Sequence, residues 1–566
     1  MLGQQNILCT HHMRPKAFIT KNDEKLHRKT ANYKPNIWKY DVIQNHTSEY
    51  VDVKYQRRAE KLKEEVSCLF DKTVDVLAKL ELIDSIGKMG LSHHFEKEIM
   101  ESLEHILLSA NNKKCFSSEM DLYATALSFR ILRQYGNHVS QDVFLGFMDE
   151  MGEFTIKGGP KAILELFEAS HLALEGEDIL YKARIYCTEI LKNLTSEDSD
   201  NGLAGSLLLP SHLTANWYNV RREILQRENE SMSNSQLLHL AKLNFNIVQV
   251  EHQKNLVEIL RWWRNFGLIE NMSFTRVRVV ESFLWSVGVA FEPQYGNFRK
   301  WLTKAIQLVL IVDDVYDIFG SLKDLEIFTT AVEMWDPSGI VDLPECMKIC
   351  FWALYDITND TARQIHEHKG WDCALPYLQK GWADFCKALL VEAKWDSIGY
   401  TPTLWEYLDN AWISSSGNVL SLHILLGVPQ DYSDIIHFLK NNKDLIYYSS
   451  LIIRLCNDLG TSAAELERGD APSSILCYMK ETGVTEEVAR EHIRSVVHET
   501  WTKINKFCFN DNSSPVFSSL GTLVKCVTNT ARVSHFIYQN GDGFGVPDRE
   551  TRDQVISYLI EPIPLK

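Results

Sequence analysis

The sequence predicts an all-α fold in two helical domains. Apolar residues recur at helical spacing along most of the 566-residue chain, β-branched runs do not alternate with helices, and no repeat of 20–50 residues is evident. The elements follow in order. Residues 1–38 read as a polar N-terminal arm ending at Trp38. From residue 54 the text turns helical: Val66, Phe70, Val74, Leu77 and Leu80, spaced by four or three, share one apolar face. Further helices are expected near 96–109 and 120–135, with breaks at Gly158-Gly159-Pro160 and from Asn193 to Gly205. The polar run 226–238 reads as a hinge, giving an N-terminal helical domain over 39–234 and a C-terminal domain over 235–566. Within the latter, helical blocks are expected at 236–264, 275–289, 297–318, 324–335, 344–366, 374–396, 403–413, 436–465, 485–505 and 520–538.

Composition narrows the function. Fifty-nine Lys and Arg against 75 Asp and Glu give a formal charge of -16, and no basic cluster is interleaved with aromatics, so nucleic acid is not an expected partner. The most apolar run, residues 305–312, is far short of the roughly 20 residues of a membrane helix, so no stable membrane insertion is expected. The 12 cysteines form no CxxC pair and read as reduced thiols of an intracellular protein. The N-terminus lacks a secretory apolar core and an obvious transit peptide, which favours the cytoplasm, with a short or cryptic plastid signal as the alternative.

Two oxygen-rich ladders carry chemistry. Asp313 and Asp317 stand four apart after the apolar run, with Asp314 beside them. Carboxylates gathered on an apolar helix need a positive partner, and a hard cation such as Mg2+ is the natural one. A second ladder, Asn457, Thr461 and Glu465, offers an amide oxygen, a hydroxyl and a carboxylate at i, i+4 and i+8. Either ladder alone also fits an ordinary polar helix face; together they suit a metal site between bundle helices. Arg276 and Arg278 precede Asp313 by 37 and 35 residues and Arg454 lies one turn before Asn457; the three fit phosphate oxygens, though arginines also serve in salt bridges. The set suits metal-assisted departure of diphosphate from an apolar molecule. The resulting carbocation needs a dry pocket, for which Trp263, Phe283, Trp285, Tyr316, Tyr538 and Phe544 are candidate ring faces or plain core. P-loop, Rossmann, HExxH, GxSxG and DxDD patterns are missing, which argues against nucleotide, dehydrogenase, hydrolase and protonation-initiated chemistry.

On these residues the chain resembles plant class I terpene synthases over nearly its whole length. Asp313-Asp314-Val315-Tyr316-Asp317 is similar to the family's DDxxD motif, and the run from Asn457 to Glu465 to its second metal motif; Phe291-Glu292-Pro293-Gln294-Tyr295, Trp382-Ala383-Asp384 and Gly541-Asp542-Gly543 match its general text. The resemblance implies a catalytic C-terminal bundle and an N-terminal helical domain without its own active site. It implies three Mg2+ ions, replaceable by Mn2+, two on Asp313 and Asp317 and one on Asn457, Thr461 and Glu465, with Asn457 also near the substrate. Arg276, Arg278 and Arg454 would contact diphosphate, and Tyr538 and Asp542 would help close the pocket. Two departures stand out: Arg276-Val277-Arg278 replaces the usual RDR, and Arg28-Lys29 followed by eight residues and Trp38 replaces RR(x)8W.

Residues 241–249, 343–348 and 454–465 are similar to α-farnesene-forming members. This implies a monomeric lyase that ionises (2E,6E)-farnesyl diphosphate and loses a C4 proton to give (E,E)-α-farnesene, with diphosphate as the base and Tyr316 as a possible helper. The alternatives are (E)-β-ocimene or linalool from geranyl diphosphate, use of both substrates, and nerolidol. Phe283 would shorten the pocket, while the modest bulk of Ile453 leaves room for more than an isoprene-sized substrate.

Overall fold

A computed structural model describes residues 34–45, 47–110, 121–155, 159–197, 210–229, 235–267, 275–468, 472–509, 518–539, 541 and 549–565. Among them the protein is helical throughout, apart from one isolated antiparallel bridge between Met148 and Phe154. The first half comprises α1 (Tyr40–Gln44), α2 (Val53–Lys72), α3 (Val76–Lys88), α4 (Glu96–Ala110), α5 (Leu122–Gln134), α6 (Pro160–Ser170), α7 (Asp178–Glu197) and α8 (Asn216–Asn229). The second begins with α9 (Ser235–Phe266), α10 (Val279–Val289), α11 (Gly296–Asp314), α12 (Leu322–Met334), α13 (Glu345–Lys369), α14 (Ala374–Ser397) and α15 (Leu404–Ser414). It continues with α16 (Gly417–Gly427), α17 (Tyr432–Asn441), α18 (Lys443–Arg468), α19 (Ser474–Thr482), α20 (Glu486–Cys508), α21 (Ser519–Tyr538) and α22 (Arg549–Val555).

The second half is a bundle around α16, against which α11, α14, α18 and α21 all pack. Every residue of α16 from Val419 to Gly427 is buried, because the helix is apolar on nearly all sides and has no face suited to water. Its close seating is set at Gly417: a Cβ there would lie 2.3 Å from Ser450 Oγ and 2.7 Å from Ser450 Cα. The preceding Ser416 is left-handed at φ 67°, a strained conformation for a residue other than glycine, so the chain turns sharply between α15 and α16.

Buried ion pairs fix the first half. Arg130 reaches Glu165 and Asp84, and Arg133 reaches Glu177 and the carbonyls of Val139 and Leu172. The two halves are joined by polar as well as apolar contacts. Asn505 on α20, wholly buried, donates to His171 O and Ala173 O at 2.9 Å each and meets His212 Nε2 at 2.7 Å. Trp217 stacks between Phe245 and Phe291, with centroids at 4.7 and 5.2 Å. The C-terminal tail returns to the junction: Asn246 on α9 exchanges bonds of 2.8 and 2.7 Å with the backbone of Ile563.

Several expected elements are corrected. The apolar face drawn through Val74 is interrupted, because α2 ends at Lys72 and Asp75 caps α3; Val74 is 88% exposed. The block at 275–289 begins as helix only at Val279, and the block at 436–465 divides at Asn442. The break placed at Asn193 lies inside α7, and the hinge region is helical up to Asn229 and again from Ser235. Helices α6, α7, α8, α16 and α19 are additional to those read from the sequence. The Arg28-Lys29 pair, Asp542 and Phe544 lie outside the described residues.

Replacing Asn505 with Ala should lower stability by about 2–4 kcal/mol, since two buried carbonyls lose their donor. The check is a drop in the urea midpoint with unchanged helical circular dichroism before the transition.

Candidate active site

The first ladder is delivered by the buried end of α11. Residues Ala305, Ile306, Leu308, Leu310, Ile311 and Val312 bury this helix, which passes at Asp314 into a wider π-turn, Val315–Phe319. Gly320 closes that turn by donating to Val315 O at 2.8 Å. A Cβ at 320 would sit 2.4 Å from Leu325 Cδ2, so a larger residue would have to displace the Leu325 side chain. Asp313 is half-buried and Asp317 exposed, whereas Asp314 is 0% exposed.

Asp314 organises Arg276. Its carboxylate accepts from the Arg276 backbone N–H at 2.6 Å and pairs with Arg276 Nε at 2.9 Å, while Arg276 Nη2 reaches Asp313. One turn and more earlier on the same helix, Gln307 Oε1 accepts from Arg278 N–H at 2.9 Å and its Nε2 donates to Arg276 O at 2.8 Å. Residues 276–278 are thus held along α11 by backbone bonds, which explains how this segment is fixed with Val277 in its middle. Val277 packs against the apolar core.

The second ladder has a parallel construction. Asn457, Thr461 and Glu465 lie on α18, four residues apart and therefore along one face. Thr461 is buried, and its hydroxyl donates to Asn457 O at 2.9 Å, leaving oxygen lone pairs as acceptors. Asn457 Oδ1 accepts from Arg454 Nη1 at 3.3 Å. The Glu465 side chain lies outside what the structure describes. Here the buried acid is Asp458, which accepts from Tyr407 OH at 3.1 Å and Ser474 N–H at 2.8 Å, with Arg454 Nη1 at 3.7 Å. Burial raises its pKa, and Arg454 works against that rise.

Glu392 on α14 links the two ladders. Its buried carboxylate accepts from Ser414 Oγ and from Asn410 Nδ2 at 3.2 Å, and Ser414 Oγ in turn accepts from Arg454 Nη2 at 3.2 Å. Burial raises the Glu392 pKa, Arg454 lowers it, and both Asp313 and Asp458 act on it. Asp313 of the first ladder and Asp458 beside the second therefore both lie within electrostatic reach of one carboxylate.

Other expected residues fall differently. Arg278 is 1% exposed and donates to Lys34 O at 2.7 Å, so in this structure it grips the arm rather than the acidic ladder. Beside it Trp38 Nε1 donates to Glu281 at 2.8 Å. Tyr316 is buried in packing, its hydroxyl 2.6 Å from Thr329 Oγ1, and burial raises its pKa well above the usual phenol value. Phe283 and Trp285 are buried on α10, and Trp263 on α9 stands against Trp262. Tyr538 ends α21, its carbonyl so close to Gly460 that a Cβ there would lie 2.8 Å away. Among the described residues no three His, Cys, Asp or Glu side chains gather by themselves as a metal site. The donors are instead mixed carboxylate, amide and hydroxyl oxygens, a set that fits Mg2+ better than a softer metal.

Sequence reasoning passed over Asp458, Glu392, Gln307 and Ser414 and gave Asp314 no role. Helical phase carried a signal for two of them: Asp314 shares a face with Leu310 and Ile311, and Asp458 with Leu451 and Leu455, which puts both inside.

Residues 37–207 match the terpene synthase N-terminal domain and residues 264–503 the terpene synthase family metal binding domain. The chain belongs to the terpene synthase family, whose members are lyases acting on carbon–oxygen bonds of phosphates. It is 47% identical to an alpha-farnesene synthase of Ricinus communis, with 95% of this chain and 96% of that protein covered. It is 49% identical to an (E,E)-alpha-farnesene synthase of Malus domestica, covering 95% and 94%. A chloroplastic isoprene synthase of Pueraria montana var. lobata stands at 42%, covering 95% and 89%. Among solved structures, a limonene synthase with 2-fluorolinalyl diphosphate superposes with TM-score 0.89 at 36% identity, covering 95% of this chain and 100% of that one. Isoprene synthase from grey poplar leaves, in complex with three Mg2+ ions and dimethylallyl-S-thiolodiphosphate, superposes at 0.83 and 40% identity, covering 94% and 99%.

Asp314→Asn and Asp458→Asn should each lower kcat by about 10–100-fold and weaken the Mg2+ requirement curve in the same direction, because an arginine or a ligand backbone loses its anchor. Helical circular dichroism should stay near wild type, and a Mg2+ titration of activity is the measurement.

Proposed function

We propose that the enzyme ionises (2E,6E)-farnesyl diphosphate and releases (E,E)-α-farnesene and diphosphate. The observation that supports the chemistry is a buried aspartate with an arginine beside each oxygen-rich ladder, with Asp313 and Asp458 both acting on Glu392. Full-length similarity to two α-farnesene synthases at 47% and 49% supports the product.

In this reading Asp313 and Asp317 hold Mg2+ on one side, and Asn457, Thr461 and Glu465 on the other. Bound Mg2+ would neutralise the leaving diphosphate and favour heterolysis of the carbon–oxygen bond. Arg276 and Arg454 present guanidinium edges to the diphosphate oxygens, oriented by Asp314 and Asp458. Arg278 joins them when it exchanges the Lys34 carbonyl for a substrate oxygen. The buried rings of Phe283 and Trp285 and the apolar wall of α16 exclude water, which directs the allylic cation toward deprotonation rather than capture as an alcohol. The C4–H electrons then form the new double bond, and the proton passes to a diphosphate oxygen, since the Tyr316 hydroxyl is committed to Thr329.

A second reading, conversion of geranyl diphosphate to (E)-β-ocimene or linalool, is favoured by the likeness to the limonene synthase structure with its linalyl-type ligand. A cytoplasmic site of action goes with the farnesyl reading, and a plastid with the geranyl one. Among the described residues no helix is long and apolar enough to cross a membrane.

Purified protein with Mg2+ should give α-farnesene as the main product from farnesyl diphosphate by gas chromatography and mass spectrometry, at a kcat/KM equal to or above that for geranyl diphosphate. Turnover of geranyl diphosphate alone would reject the farnesyl assignment. Asp313→Ala should abolish turnover of both substrates without changing helical content.

A further inference from the structure

A cavity of about 590 Å3 lies between the two halves, away from the ladders. Its walls come from α3, α5 and α8 on one side and from the end of α10, α17, α20 and α21 on the other, and none of Arg276, Arg278, Asp313, Asp317, Arg454 or Asn457 lines it. The volume lies within the ordinary range for a small-molecule site. Apolar surface from Ile131, Phe291, Phe507 and Leu520 covers part of it.

Polar side chains reach the cavity from α3, α5, α8 and α17 as well as from α21. Thr522, Lys525, Asn529 and Arg532 all line the cavity, and their spacing of three, four and three places them on one helical face. Much of the charge around the cavity is matched: Asp84 pairs with Arg130 and Lys88, and Glu292 with Lys525 at 2.7 Å, while Glu223 lies 3.9 Å from Arg222 and Glu96 stands at the wall without an ion pair among the described residues. Arg532 is the cation of the lining without a carboxylate among the described residues. Its Nε donates to His212 O at 2.8 Å and its Nη1 to Asn529 Oδ1 at 2.9 Å, both neutral acceptors. Among the described residues no carboxylate pairs with it and its Nη2 has no hydrogen-bond partner. Burial depresses its pKa, with only the Cys508 thiol acting the other way. His93, whose pKa burial lowers to about 3, adds a neutral imidazole with an unpartnered Nε2 to the same walls.

A partly buried guanidinium without a counter-charge costs stability, and the cost is relieved when an oxyanion takes up the open edge of the fork. A phosphate alone would leave most of the volume and the apolar walls unused. We propose that this interdomain cavity is a binding site for a small amphiphilic anion, its phosphate or carboxylate head on Arg532 and Asn529 and its apolar body against Ile131, Phe291 and Leu520. Because α21 also packs on α18, and Asn529 Nδ2 bonds Val289 O at the end of α10, an occupant braces the two helices that carry substrate-facing residues.

The test titrates wild-type protein in Mg2+-free buffer containing EDTA with octyl phosphate, octanoate and, as the uncharged control, octanol, by isothermal calorimetry. Saturable binding of one or both anions without binding of octanol is expected, and the preferred anion identifies the head group. Arg532→Met should weaken that binding about tenfold or more, and Asp313→Asn should leave it unchanged. Equal binding of octanol, no binding of either anion, or full retention in Arg532→Met would overturn the proposal. Should Arg532→Met not fold, hydrogen–deuterium exchange on the wild type decides the matter. Protection by the bound anion is expected in 519–538 and 288–295; protection confined to 276–317 and 454–461 would mean that the anion occupies the substrate site, which also overturns it.

Discussion

The structure turns on two fully buried aspartates, each satisfied by donors that also fix a neighbouring segment. Asp314 accepts both the backbone and the side chain of Arg276, and Asp458 accepts from Tyr407 and Ser474 with Arg454 alongside. An isolated carboxylate in such a place would be costly, and removal of one partner from a buried pair costs several kcal/mol. The aspartates therefore work as clamps: their desolvation is offset only when the arginines and the chain segments around them sit in one arrangement. The neighbouring members of the same motifs, Asp313, Asp317 and Asn457, are more open to solvent, as the proposed binding of a cation requires. One short motif thus divides its labour between an inward and an outward residue.

Around these clamps the bundle is built for close approach. Gly417 brings α16 against Ser450, Gly460 brings α18 against the carbonyl of Tyr538, and Gly320 lets the π-turn close over Leu325. At each of the three a methyl group would collide, so the backbone spacing near the site is set by the absence of side chains. The sharp turn at Ser416 belongs to the same economy, since it carries Ser414 to Glu392 and Ser415 Oγ to within 3.1 Å of Ser450 O.

What could be read from the sequence follows from what each signal measures. The helical class and the two ladders were legible because spacing of three and four is local, and because carboxylates after an apolar run are conspicuous. Helix α16 was not, since a segment buried on every side has no amphipathic period. Val74 fell into phase with its neighbours by coincidence, and only the Asp75 cap shows that the helix had already ended. The grip of Arg278 on Lys34 O and the part of Glu392 depend on residues far apart in the chain, for which one sequence offers no register. The interdomain cavity is of the same kind: Lys525, Asn529 and Arg532 form a visible stripe, but the partners that leave Arg532 unmatched come from other helices.

The return of the tail to α9 has a practical side for anyone recombining related synthases. Because the Asn246 side chain and the Ile563 backbone trade hydrogen bonds, and Asn505 reaches across to the carbonyls of His171 and Ala173, the natural units of exchange are not contiguous. A chimera cut once near the middle of the chain would unite a graft with foreign contacts at both seams. Crossovers that move α9 with the final residues, and α20 with the turn after α6, keep each interlocking surface of common parentage and so preserve the scaffold while product-determining walls are varied.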